Sequence, residues 1–190
     1  MHEVQGLIME FATGFYSYIP VFIILYCIRL RKLPLGQQVL NTLLFFYLCI
    51  VIDLTQFPLP ATRAAVEYTM QRVGPFNHSS YNLMPFFVQD LNFLLQDNKL
   101  ALNVIMTIPF GFLVGLKTRR MRKTLFFGAC FTVALELTQL LTRYFQMSYR
   151  IFDVDDLILN FMGVAVGYGI YFVFRSGYHY VRKITTNQRE

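Results

Sequence analysis

Five apolar runs, separated by short polar or basic stretches, set the pattern of this chain. They fall at about 7–28, 39–57, 99–116, 124–142 and 157–174. Each has roughly 18–22 residues, enough to cross a hydrocarbon core of about 30 Å at about 1.5 Å per residue. The pattern therefore predicts an all-α integral membrane protein with about five transmembrane helices in a small bundle. Glu10 and Pro20 interrupt the first run, and Pro58 and Pro60 close the second. The chain divides into two N-terminal helices (1–57), an extracytoplasmic or interfacial connection (58–98), a three-helix core (99–174) and a basic cytoplasmic tail (175–190). Within the connection, 61–73 carries Arg63 and Glu67 at i,i+4 with apolar residues between them, the pattern of a short helix lying at the interface. Residues 83–88 and 93–95 are too apolar for a solvated loop and are expected to dip into the interface or cap the bundle.

Charge then gives these spans a direction. The loop after the first run holds Arg29, Arg31 and Lys32, and the loop after the third holds Lys117, Arg119, Arg120, Arg122 and Lys123. Arg175, Arg182 and Lys183 follow the fifth. On the other side, Arg63, Arg72, Lys99, Arg143 and Arg150 are offset by Glu67, Asp90, Asp97, Asp153, Asp155 and Asp156. The positive-inside rule predicts the N-terminus outside and the C-terminus in the cytoplasm. Charged residues make up only 15% of the chain and mean hydropathy is +0.44. Soluble domains carry about 25% charged residues. A net charge of +6 dispersed in such loops sets topology and argues against a nucleic-acid partner. Membrane lipids are the expected surroundings. Met1–Gln5 has no positive leader, and no cleaved signal is expected. Cys27, Cys49 and Cys130 lie inside apolar runs without metal-ligand spacing and read as packing residues.

Direction gives each polar residue a depth. Asn103 and Asn160 lie roughly 5 Å, and Glu136 roughly 9 Å, below the outer surface at about 1.5 Å per residue. Asp53 and Glu10 also fall in the outer half. Glu136, Gln139 and Arg143 are spaced i, i+3, i+7 and share a face of the fourth span. Asp153, Asp156, Asn160, Gly163 and Gly167 share a face of the fifth. Gly163 with Gly167, and Gly111 with Gly115, are small-xxx-small pairs that let helices approach closely. These patterns predict that the last three spans pack together, with Asn103, Glu136, Gln139, Arg150, Asp153, Asp155, Asp156 and Asn160 around a polar cavity on the outer face.

Each of these residues also has a plain structural role open to it. The aspartates suit the N-terminus of an outward-facing helix. Glu136 can pair with Arg143 or Arg150, and Asn103 and Asn160 can hydrogen-bond between helices. Three carboxylates within four residues can hold a divalent cation, but Asp153-x-Asp155-Asp156 lacks any specific metal pattern, and no metal or cofactor is assigned. Glu136 with Asp153 or Asp156 is a candidate acid–base pair. No HExxH, Gly-x-Ser-x-Gly or P-loop is present.

One resemblance unites these residues. Asn82-Leu-Met-Pro85-Phe86, Asn103 followed by Pro109-Phe-Gly111, Glu136-Leu-Thr-Gln139, and Arg150-x-x-Asp153-x-Asp155-Asp156-x-x-x-Asn160-x-x-Gly163-x-x-x-Gly167 resemble the successive motifs of VanZ-like membrane proteins over about 82–174. The resemblance implies a multi-pass protein of the Gram-positive cytoplasmic membrane associated with resistance to teicoplanin, a lipid-tailed glycopeptide, and not to vancomycin. It adds Asn82 to the polar cluster and supplies no reaction. Two functions stay open: binding or altering a component at the outer surface, a cell-wall precursor or the lipoglycopeptide itself, so that less drug binds productively, or an intramembrane enzyme acting on a lipid or wall precursor.

Overall fold

A computed structural model describes residues 11–12, 15–85 and 98–187. Glu10, Asp90, Asp97 and the apolar residues 86–88 and 93–95 lie outside the described residues. The described chain is overwhelmingly helical: α1 (Phe15–Ile28), α2 (Leu35–Gln56), α3 (Arg63–Val73), α4 (Asn98–Thr118), α5 (Met121–Tyr144) and α6 (Val154–Asn187). Four of these, α2, α4, α5 and α6, are long and apolar enough to cross a membrane. Large apolar side chains such as Leu54, Ile105, Phe126 and Phe172 stay exposed along them, as a lipid environment permits. The protein is a multi-pass membrane protein. The 14 described residues of α1 cover about 21 Å.

The last helix differs most from expectation. The apolar run ends near Phe174, yet α6 continues to Asn187 as one helix of 34 residues. At about 1.5 Å per residue it is about 51 Å long, well beyond a core of about 30 Å. The basic segment after Phe174 is thus a rigid extension of the span.

The short helix expected over 61–73 forms as α3, with the Thr62 side chain accepting from the Ala65 amide at its start and Gly74 at φ +68° past its end. Two 3-10 turns (Leu30–Lys32 and His78–Ser80) and two short bridges complete the described structure. β1 (Phe11–Ala12) pairs antiparallel with β2 (Leu59–Pro60), and β3 (Tyr81–Asn82) pairs parallel with β4 (Phe152–Asp153).

The most extensive helix contact joins α4 and α6, and its closeness follows from glycine. A Cβ on Gly111 would meet the Val164 carbonyl; on Gly163, the Val104 carbonyl and Thr107; on Gly167, the Ile108 carbonyl. Gly115 faces the Tyr171 ring, where a Cβ would lie 2.9 Å from the nearest carbon. Lipid supplies no hydrophobic drive between helices, so such backbone proximity and its dispersion contacts hold the pair. α5 joins through Gly128, whose Cβ would strike the Val164 side chain. Phe110 of α4 stacks on Phe131 of α5 at 4.3 Å. Phe110, Val114 and Val164 form the core, with Tyr47 and Leu48 of α2 packed against them. α1 leans on α2 through Phe22, 4.8 Å from the Phe46 ring.

Candidate functional site

The start of α6 gathers most of the polar residues singled out in the sequence. A helix N-terminus leaves backbone N–H groups without intrahelical partners and carries a partial positive charge. Asp153 answers both: its Oδ1 accepts the Asp155 amide at 3.0 Å. The same oxygen accepts Asn82 Nδ2 at 3.1 Å, because the β3–β4 bridge sets Asn82 opposite Asp153. Asp153 in turn donates its own amide to Glu136 Oε2 at 3.2 Å. Asn103 of α4 donates its side-chain amide to Asp156 Oδ1. The connection, α4, α5 and α6 therefore meet in one hydrogen-bonded cluster.

Glu136 lies at its centre and is 1% exposed. The charged groups facing it are Asp156, Asp153 and Arg150. No ion pair joins Glu136 to Arg143 or Arg150 among the described residues; the Asp153 amide is its hydrogen-bond partner. One turn deeper along α6 than Asp156, about 6 Å, sits Asn160. Its side chain is 2% exposed and its Oδ1 has no hydrogen-bond partner among the described residues. A buried acceptor left unpaired costs about 1–3 kcal/mol.

Gln139, Arg143 and Arg150 are placed differently. They lie on the same side of the bundle but reach outward from the cluster to the C-terminal ends of two other helices. Such ends leave carbonyls unpaired and carry a partial negative charge. At the end of α2, the Asp53 carbonyl accepts the Phe57 amide at 3.2 Å. The next two accept side chains: Leu54 takes Arg150 at 2.7 Å and Thr55 takes Gln139 at 3.3 Å. At the end of α3, the Arg143 guanidinium donates to the Val73 and Gly74 carbonyls, each at 3.2 Å. The face shared by Glu136, Gln139 and Arg143 on α5 thus serves two tasks, the cluster at its inner residue and helix capping further out.

Two contributors carried no strong signal in the sequence. Gln56 of α2 is 6% exposed and donates to the Leu135 carbonyl at 3.3 Å, the counterpart of the Gln139–Thr55 bond. A lone glutamine at the end of an apolar run was the only hint. Gly128, against Val164, is flanked at i±4 by Thr124 and Thr132, a small-residue spacing less marked than a glycine pair.

The arrangement limits the chemistry available. No three His, Cys, Asp or Glu side chains come together as metal ligands among the described residues. Asp153 is occupied by Asn82 and the helix end, and Asp156 by Asn103. His78 bonds the Tyr81 hydroxyl at 2.7 Å, in the connection. What the cluster offers is a buried carboxyl, a second carboxylate facing it and an amide acceptor, set at the mouth of a tightly packed bundle.

Comparison with known proteins gives a family match. A family model described as VanZ/LLP1 matches residues 44–175, more than half of the chain. The match takes in the second half of α2, both capping contacts, the glycine interface and the cluster. No curated protein and no solved structure matches the chain. With its membrane-spanning helices and a match of this extent, the chain belongs to the VanZ/LLP1 family.

Proposed function

We propose that the cluster at the start of α6 is a binding site on the outer face of the membrane. In this reading it engages an envelope component or a lipid-tailed glycopeptide of the teicoplanin type and lowers productive binding of the drug at the cell surface. The observation that carries the reading is a buried carboxyl, Glu136 on α5, together with a buried acceptor that lacks a partner among the described residues, Asn160 Oδ1 on the adjoining α6. Acceptors of this kind are matched by N–H and O–H donors, which wall precursors and glycopeptides carry in abundance. The distribution of basic loops supports the outward orientation. The teicoplanin association rests on the resemblance to VanZ-like proteins carried by the residues from Asn82 to Gly167.

A second reading is an intramembrane enzyme. It is favoured by the carboxylate pair, since Asp156 faces a Glu136 that is shielded from water, the setting a general acid–base pair requires.

The test compares wild type, Glu136→Gln and Asp156→Asn at matched expression in a sensitive Gram-positive host. Teicoplanin and vancomycin susceptibility are read in parallel, with labelled drug binding and mass spectrometry of lipids and wall precursors. Binding predicts protection against teicoplanin only, with altered labelled-drug binding at the surface and unchanged precursor masses. A new chemical species that both variants abolish supports the enzyme and overturns the binding reading. Undiminished protection when Glu136, Asp156 and Asn160 are all changed overturns the assignment of the site.

A further inference from the structure

At the opposite end of the bundle, a cavity of ≈ 640 Å³ opens between the end of α4 and the extension of α6. Its lining combines three arginines, Arg119, Arg175 and Arg182, with aromatic walls that include Phe112, Tyr171 and Phe174. Among the described residues, no carboxylate lines it. Tyr171, Arg175 and Arg182 follow one another at i, i+4 and i+11, on one face of α6.

The cavity is held in shape by its own residues. Arg119 takes φ +54° where the chain turns from α4 into α5. Its carbonyl accepts Arg175 Nη1 at 3.3 Å, and the same nitrogen contacts the Tyr171 hydroxyl at 3.2 Å. These partners fix the guanidinium without neutralising it. Tyr171 is itself packed against Gly115, so the clamp rests on the close α4–α6 contact.

An occupant must therefore be anionic at one end and apolar at the other. Phe112 precedes the basic rim by about two turns of α4, so the aromatic wall lies on the membrane side of the charges. A free phosphate would satisfy the arginines and leave that wall unused. We propose that this cavity binds the headgroup of an anionic phospholipid, its phosphodiester between Arg119, Arg175 and Arg182 and the start of its chains along Phe112 and Phe174. Basic pockets between transmembrane helices recognise such headgroups, and each arginine near the surface is worth about 1 kcal/mol, a factor of about five.

The experiment titrates the purified full-length chain with phosphatidylglycerol or phosphatidylcholine and counts bound lipid by native mass spectrometry. The wild type is expected to retain phosphatidylglycerol selectively. Arg175→Gln and Arg182→Gln should each weaken it about fivefold, and the pair about 25-fold if independent. Arg182→Gln leaves the Arg175 clamp intact, so a folding defect in Arg175→Gln does not obscure the answer. Arg31→Gln with Lys32→Gln removes the same charge outside the cavity and should leave binding unchanged. Equal retention of the two lipids overturns the proposal, as does an equal loss in the Arg31 and Lys32 control. Displacement of the lipid by glycerol phosphate at equal concentration would make it a soluble phosphate site and overturns it too.

Discussion

Alanine at Gly167 should pull α4 and α6 apart. The new Cβ would meet backbone alone: the Ile108 carbonyl oxygen, then Ile108 C and Phe112 N, both at 2.9 Å. Ordinary contact begins at 3.4 Å, so even the two looser contacts fall short by 3.4 − 2.9 = 0.5 Å, and the carbonyl oxygen by more. No rotamer change relieves a clash with backbone, and the helices must separate by more than about 0.5 Å. Overpacking of this kind costs about 1–3 kcal/mol, and the upper half of that range applies where nothing can swing aside. Gly169, two residues on, provides the control, because a Cβ there meets nothing within 4 Å. Gly169→Ala should be neutral or gain up to about 1 kcal/mol from helix propensity. The two variants should differ by about 2–4 kcal/mol, or about 4–16 °C in Tm for a chain of this size. Thermal challenge of detergent-solubilised protein followed by size-exclusion chromatography reads that gap. Melting within about 2 °C of each other would refute the close α4–α6 packing.

Other changes probe the cluster and the caps. Glu136→Leu removes the acceptor of the half-buried Asp153 amide and should cost about 1–2 kcal/mol, whereas Glu136→Gln keeps a carbonyl acceptor and should melt near the wild type. Arg143→Lys loses the fork that spans the Val73 and Gly74 carbonyls, so about 1.5–3 kcal/mol of charged hydrogen bonding should go, with faster amide exchange along α3; unchanged exchange would remove Arg143 as its cap. With Cys27, Cys49 and Cys130 replaced, an impermeant thiol reagent on intact cells should label Ser79→Cys and not Ser176→Cys; the reverse pattern inverts the topology.

What was legible from the residues depended on whether a partner leaves a mark in the sequence. Apolar length announced the membrane helices, and small residues four apart announced the faces at Gly111, Gly163 and Gly167. The motif series through Asn82, Asn103, Glu136 and Asp153 was enough to point to the family. The capping roles of Gln139, Arg143 and Arg150 were not legible. Their partners are the backbone carbonyls of Leu54, Thr55, Val73 and Gly74, which any residue would supply. Nor did periodicity tell whether Arg143 pairs with Glu136 or reaches a helix end, since it shares a face of α5 with Glu136 in either case. The extent of α6 was hidden for another reason. Hydropathy marks where lipid ends, while the helix past Phe174 is sustained by its own backbone bonds.

The reciprocal bonds between α2 and α5 also act as a depth gauge. Two greasy helices in a bilayer can slide along one another at little cost, because lipid and side chain are alike to either surface. Gln56 reaching the Leu135 carbonyl while Gln139 reaches the Thr55 carbonyl removes that freedom. A slip of one turn, about 5.4 Å, would break both bonds at once and strand two amides in hydrocarbon. The vertical position of α2 is thereby indexed to Glu136, which lies between Leu135 and Gln139 on the same helix. Any thinning or thickening of the surrounding bilayer must be met by the pair as a unit, with the polar mouth carried at a constant height.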